Sequence, residues 1–220
     1  MNIIITGASR GIGYETAKLL SAEHKVINIS RSAEKNKLPG VISIAFDFEK
    51  GNVTEELLPQ IKKHFKTVDV LINNAATLIK KPFEKISLDD LKKIYKVNLF
   101  SIIELTQAIL PLISKGHILN IASIGGIQGS MKFSGLSAYS STKGALITLT
   151  ECLAEEFKDR NISFNTIAFG SVQTEMLEEA FPGFKAPISA KEAAEFVAQF
   201  AVTGQKYFNG KILQMALSTP

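Results

Sequence analysis

The sequence predicts an α/β protein: a doubly wound parallel sheet of about seven strands with helices on both faces. Three observations lead there. Short apolar runs alternate with amphipathic stretches along the whole chain, the pattern of a parallel sheet covered on both sides. A glycine-rich segment falls directly after the first apolar run, where such a fold turns from strand into helix. No linker, repeat or low-complexity tract divides the 220 residues. At roughly 150 residues per domain, that length suits one large domain.

The elements follow in order. Ile3-Ile4-Ile5 reads as a buried strand, and after Gly7–Gly13 the stretch from Tyr14 to Ser21 has helical spacing. Val26–Ile29 and Val41–Phe46 are the second and third strands. Val53–Phe65 is an amphipathic helix with Leu57, Leu58, Ile61 and Phe65 on one side. Val68–Ile72 is the fourth strand. Ser87 then caps a long helix, with Asp90 at the capping-box offset, and that helix is expected to run to about Ile113. Ile118–Ile121 is the fifth strand. A Gly/Ser-rich loop, 125–137, leads to a long helix over Ala138–Lys158. Ile162–Ala168 is the sixth strand, Val172–Ala180 and Ala190–Ala201 are short helices, and Lys211–Ala216 is the last strand.

Composition excludes several classes. A single cysteine, Cys152, rules out an internal disulfide, and with no Cys/His cluster no metal site is expected. A net charge of +4 with scattered basic residues does not describe a nucleic-acid surface. The longest apolar stretch, Leu99–Ile113, is interrupted by Glu104, Gln107 and Pro111 and is too short to span a membrane. The N-terminus lacks the basic region of a signal peptide, so a reducing, cytoplasmic setting is expected.

The segment Thr6-Gly7-Ala8-Ser9-Arg10-Gly11-Ile12-Gly13 carries the first chemical signal. Glycines at a strand-to-helix turn let the backbone approach a pyrophosphate, and the N–H groups of the helix start favour an anion. The spacing is Gly-x3-Gly-x-Gly. Tyr139 and Lys143 lie four apart at the start of a strong helical segment, so they share a face. A nearby ammonium favours phenolate and is expected to bring a tyrosine toward working pH. Ser123 ends the fifth strand, where a hydroxyl can donate to a substrate carbonyl as charge develops on it.

Together these motifs resemble the short-chain dehydrogenase/reductase family, of its classical kind, from Thr6 to about Thr174. The resemblance implies a Rossmann domain over 1–220 that binds a dinucleotide and catalyses, with a substrate-covering segment at about 175–190. It implies that Gly7, Ser9, Arg10, Gly11, Ile12 and Gly13 cradle the cofactor phosphates. The second strand ends Asn28-Ile29-Ser30-Arg31, with no carboxylate where an NAD enzyme wants one. Ser30 and Arg31, with Arg10 approaching the same phosphate, point to NADP (NADPH). Asp47, followed by Phe48, resembles the aspartate that bonds adenine; the alternative is a turn aspartate. Asn74, Ala75 and Ala76 stand in Asn73-Asn74-Ala75-Ala76, where the family has Asn-Asn-Ala-Gly.

The same resemblance implies roles. Ser123 polarises the carbonyl, Tyr139 is the general acid/base, Lys143 tunes it and bonds the nicotinamide ribose, and Asn98 holds a water in a proton relay. Gly170, Val172 and Thr174, in Phe169-Gly170-Ser171-Val172-Gln173-Thr174, hold the nicotinamide end, with Phe169 replacing the family's proline. Sixteen positions separate Ser123 from Tyr139, a few more than usual, which enlarges the loop carrying Met131, Lys132 and Phe133. The expected activity is hydride transfer between NADPH and a carbonyl or alcohol. The expected assembly is a homo-oligomer, dimer or tetramer. The alternatives are an NADP-binding sensor without turnover, or an epimerase or dehydratase on the same scaffold.

Overall fold

The structure is a computed structural model and describes residues 1–217. The chain forms β1 (Asn2–Thr6), α1 (Gly11–Leu20), β2 (Lys25–Ser30), β3 (Val41–Ala45), α2 (Leu58–His64), β4 (Val70–Asn73), α3 (Leu88–Tyr95) and α4 (Ser101–Ile109). Then come β5 (Gly116–Ser123), α5 (Ser137–Glu156), β6 (Ile162–Phe169), β7 (Val172–Gln173), α6 (Glu175–Ala180), β8 (Ile188–Ser189), α7 (Ala190–Thr203) and β9 (Ile212–Met215). Seven strands make one sheet in the order β3-β2-β1-β4-β5-β6-β9. Every pairing in it is parallel, with Ile4 beside Ile27 and Leu71, and Leu119 beside Ile72 and Asn165. The order reverses between β1 and β4, and ligands bind at such a switch point, beyond the carboxyl ends of the strands.

The two-residue period of each strand divides the core. Ile3 and Ile5 face Ala17 and Leu20 of α1 and Ala193, Val197 and Ala201 of α7. Ile4 and Ile27 face the opposite layer, built on Ile61 of α2, Leu105 and Ile109 of α4 and Ala154 of α5. This double burial explains why the strands read as continuous apolar runs rather than alternating ones.

Helix starts obey local chemistry. At α3 the Ser87 hydroxyl accepts the Asp90 N–H (3.1 Å) and Asp90 accepts the Ser87 N–H (3.0 Å), as its spacing predicts. Ser189 and Glu192 form the same reciprocal box at α7. Four expectations need correction. The first helix begins at Gly11, so Gly11 and Gly13 belong to its opening turn. The fourth strand starts at Val70 rather than Val68. Val172 does not begin a helix: Val172–Gln173 pairs in parallel with Ile188–Ser189, and α6 starts at Glu175 behind a Thr174 cap. The long helical stretch runs from Leu88 to Leu112, but a π turn at Lys96–Phe100 separates α3 from α4. Asn98 sits in that turn, where the backbone widens by one residue instead of breaking.

Candidate active site

A cavity of about 570 Å³ opens at the carboxyl ends of the central strands. All the residues singled out above as catalytic or cofactor-contacting line it, Asn98 excepted. One end is the turn between β1 and α1. Gly7 has φ +71°, and a Cβ there would lie 2.7 Å from Ala75 Cα, so only glycine fits. Thr6 and Asn74 lock this approach. The Thr6 hydroxyl accepts the N–H groups of Asn74 (3.0 Å) and Ala75 (2.9 Å), while the Asn74 amide donates to the carbonyls of Thr6 (2.9 Å) and Gly7 (3.1 Å). The Asn74 side chain is therefore spent on shaping the loop. Asn28, buried in β2, accepts the Ala8 N–H at 3.2 Å and holds the loop from the other side. Ala76 has no positive φ, so its methyl is accommodated where the family has glycine.

The outer end of the cavity lies past β2. The Ser30 Oγ is buried without a hydrogen-bond partner, and Arg31 is exposed beside it. Asp47 accepts the Glu49 N–H at 2.9 Å, the geometry of a turn aspartate, while still lining the wall. Phe48 is buried against Phe46. Arg10 lines the same cavity with its guanidinium paired to Glu179 of α6, an interaction that holds its pKa up.

The inner end holds Ser123, Tyr139 and Lys143. Ser123 Oγ accepts the Gly125 N–H (3.2 Å), which leaves its own hydrogen to donate. A Cβ at Gly126 would lie 2.6 Å from the Gly144 nitrogen, so this glycine lets the turn after β5 press directly onto α5. That contact carries no sequence signal beyond a glycine pair. Lys143 is 2% exposed; its Nζ donates to the Ile121 carbonyl at 2.8 Å and lies 5.7 Å from the centre of the Tyr139 ring. Burial pushes the Tyr139 hydroxyl up to about 12 and the Lys143 ammonium down to about 8. Loss of solvent alone sets both directions, so the lowering of the tyrosine value expected from Lys143 is not seen here.

Asn98 is fully buried; its Oδ1 accepts the Thr77 N–H (2.8 Å), and its amide donates to the Thr77 carbonyl (2.9 Å) and the Thr142 hydroxyl (3.2 Å). With both amide hydrogens committed, the side chain ties the loop after β4 to the start of α5. A buried polar chain that sequence reasoning missed supports the same floor. Asn73 donates to Asn120 (2.9 Å), Asn120 to Thr150 (2.9 Å), and Thr166 to Thr150 (2.8 Å). Its signal was present as asparagines inside apolar strands, where an unbonded amide is costly.

The sequence pattern that defines the family "short chain dehydrogenase" matches residues 1–183. The chain belongs to the short-chain dehydrogenase/reductase family. It is 32% identical over 236 residues to 3-oxoacyl-(acyl-carrier-protein) reductase FabG of Aquifex aeolicus, covering 96% of this chain and 94% of that protein. It is 33% identical over 191 residues to the uncharacterized oxidoreductase YhxC of Bacillus subtilis, covering 81% of this chain but just under two thirds, 66%, of that one. A short-chain dehydrogenase from Burkholderia cenocepacia, solved in complex with NADP, superposes with a TM-score of 0.87 at 26% identity, covering 97% of this chain and 95% of that one. As a member of this family the protein is an oxidoreductase that works on a small molecule with a nicotinamide cofactor. The residues present fit that cofactor: a cradle at Gly7 that any Cβ would fill, a long cleft, and an orphaned hydroxyl at Ser30. Among the described residues no helix is long and apolar enough to cross a membrane.

Proposed function

We propose that this member of the family is an NADPH-dependent reductase of an aldehyde or ketone, with Tyr139 as general acid/base. The observation that carries the reading is the convergence of Ser123, Tyr139 and Lys143 on one wall of the cavity that begins at the glycine turn. When bound, a reduced nicotinamide supplies a hydride to the carbonyl carbon. Ser123 donates a hydrogen bond to the carbonyl oxygen and stabilises the charge that gathers there. Tyr139, held neutral by burial, gives its proton to that oxygen, since an alkoxide is a far stronger base than phenolate. Lys143, fixed by the Ile121 carbonyl, keeps an ammonium beside the ring and stabilises the phenolate left behind. Asn98 positions Thr77 and Thr142, and through them the first turn of α5.

NADP preference rests on Arg31, the residue after β2, whose planar, permanently charged fork suits a phosphate. The NADP in the Burkholderia relative supports the same choice. The whole of 1–220 acts as one domain with 175–190 covering the substrate. The protein works in the cytoplasm as a homo-oligomer, a dimer or tetramer.

The test is NADPH oxidation by the purified protein against aldehydes and ketones, with NADH in parallel. Tyr139→Phe removes the acid and is expected to lower kcat by about 10²–10⁴-fold while NADPH binding stays within about twofold. Substantial residual turnover in the variant would sink the assignment.

A further inference from the structure

Three segments meet over the inner end of the cavity. The loop after β4 supplies Leu78 and Lys80, the lengthened 124–136 loop supplies Phe133 and Leu136, and the segment from α6 onward supplies Met176, Leu177, Phe181 and Phe184. They are knitted together. Phe133 meets Phe181 edge to face, ring centres 6.4 Å apart at 66°. Lys80 lies 3.8 Å above the Phe181 ring, and its Nζ donates to the Ala180 carbonyl at 2.9 Å. The Lys81 N–H donates to the Gly135 carbonyl at 3.0 Å. Yet Phe133 and Phe184 keep 39% and 48% of their surface exposed at this mouth, although each lines the cavity. Exposed apolar side chains gathered at one opening mark a binding wall rather than a finished core.

The charged groups of the cavity stand elsewhere or are already engaged. Arg31, Asp47 and the Glu49–Lys93 pair (3.2 Å) belong to the outer end. Glu175 lies against Gly11, and Arg10 is paired with Glu179. Lys80, although exposed, is held against the Phe181 ring and the Ala180 carbonyl, and Lys143 is buried under Ile121. A substrate carboxylate or phosphate brought to this mouth would have to draw Lys80 off the ring and carbonyl that hold it.

We propose that this wall selects an uncharged carbonyl compound carrying an aryl or similarly bulky apolar group, with Phe133 and Phe181 as its specificity-determining residues. The inference rests on the reductase reading. Reduction converts C=O to CH–OH, the carbon taking hydride from NADPH and the oxygen taking the Tyr139 proton.

The test compares 4-isopropylbenzaldehyde with 4-carboxybenzaldehyde, close in size and different in charge, in wild type, Phe181→Ala and Phe133→Ala. Acetaldehyde, too small to reach the wall, is the reference. The expected kcat/KM favours the uncharged aryl aldehyde by at least about 100-fold, because a desolvated carboxylate finds no cation that is not already held by protein groups. Each phenylalanine variant is expected to raise KM for that aldehyde roughly tenfold with kcat little changed, and to leave acetaldehyde unaffected. Equal or better use of the carboxylate, or an unchanged KM in both variants, overturns the proposal while leaving the reductase reading intact. Calorimetry with 4-isopropylbenzyl alcohol and NADP separates the two ideas. Binding that Phe181→Ala weakens, without any turnover, keeps the pocket and removes the reductase reading. Neither binding nor turnover overturns the pocket as well.

Discussion

Between pH 6.5 and about 4, acid should attack this fold through His117. The ring is completely buried at the start of β5, beneath α7, edge-on to Phe200 with ring centres 5.5 Å apart. Its Nδ1 sits 3.0 Å from the Ala201 carbonyl, so Nδ1 carries the hydrogen; Nε2, 3.0 Å from Asn165 Nδ2, must then accept. Protonating Nε2 would set it against a donor in a dry interior. Burial accordingly pushes the His117 pKa down to about 4 from 6.5, even though the Ala201 bond pulls the other way. The folded ring stays neutral while the unfolded one takes a proton, so the contribution is complete above pH 6.5 and is lost as pH falls from 6.5 to about 4. The gap corresponds to about 3 kcal/mol at full effect. That is a large share of the roughly 5–15 kcal/mol by which a domain is stable. Urea unfolding of wild type and His117→Gln at pH 7.5, 5.5 and 4 should show the variant less stable at neutral pH and losing about 3 kcal/mol less on acidification. An NMR titration of the His117 ring checks the same point directly. A ring that protonates near 6.5 in the folded protein, or equal acid losses in both proteins, would refute the reasoning.

Other changes have equally definite outcomes. Gly7→Ala forces a Cβ to 2.7 Å from Ala75 Cα at positive φ. Stability should fall by at least about 1–2 kcal/mol and NADPH binding by calorimetry should be lost; a variant that binds normally would contradict the cradle. Arg31→Ala should raise the Kd for NADPH about 10–100-fold, as loss of a charged hydrogen bond does, and leave NADH nearly unchanged; equal effects on both would remove Arg31 as the phosphate reader. Ser189→Ala removes the cap of α7 and should cost about 1 kcal/mol, or about 2–4 °C in Tm, with kinetics intact.

How much was legible in the sequence differed by kind of residue. The strands were legible because burial on both faces leaves them mostly apolar residues, and Ser87 announced its helix through a purely local exchange with Asp90. Short segments were not. Val172–Gln173 became a strand only because Ile188–Ser189 lies alongside, a pairing that propensity within the segment does not encode. The candidate site divided in the same way. Gly7, Tyr139 and Lys143 were singled out from spacing and Ser123 from its place at the end of a strand, and all four line one cavity. For Asn98 and Asn74 the sequence marked the positions but not their side-chain partners. Their amides face polar atoms on other segments, at Thr77 and Thr142 and at Thr6 and Gly7, and distance along the chain hides such partners.

By itself the sequence determined the alternation of strand and helix, the glycine turn at the end of β1 and the Tyr139–Lys143 pair on one helix face. Each of these follows from periods of two or about four residues and from the backbone freedom of glycine. Only the tertiary structure decided which polar groups lose their water. It buried Lys143 beside a half-buried Tyr139, so that loss of solvent, not mutual charge, sets the direction for both, and it buried His117 under α7. It turned Arg10 toward Glu179 and brought Phe133 against Phe181 across forty-eight positions of chain. Desolvation and pairing depend on what is near in space, and a chain read one residue after another carries no measure of that.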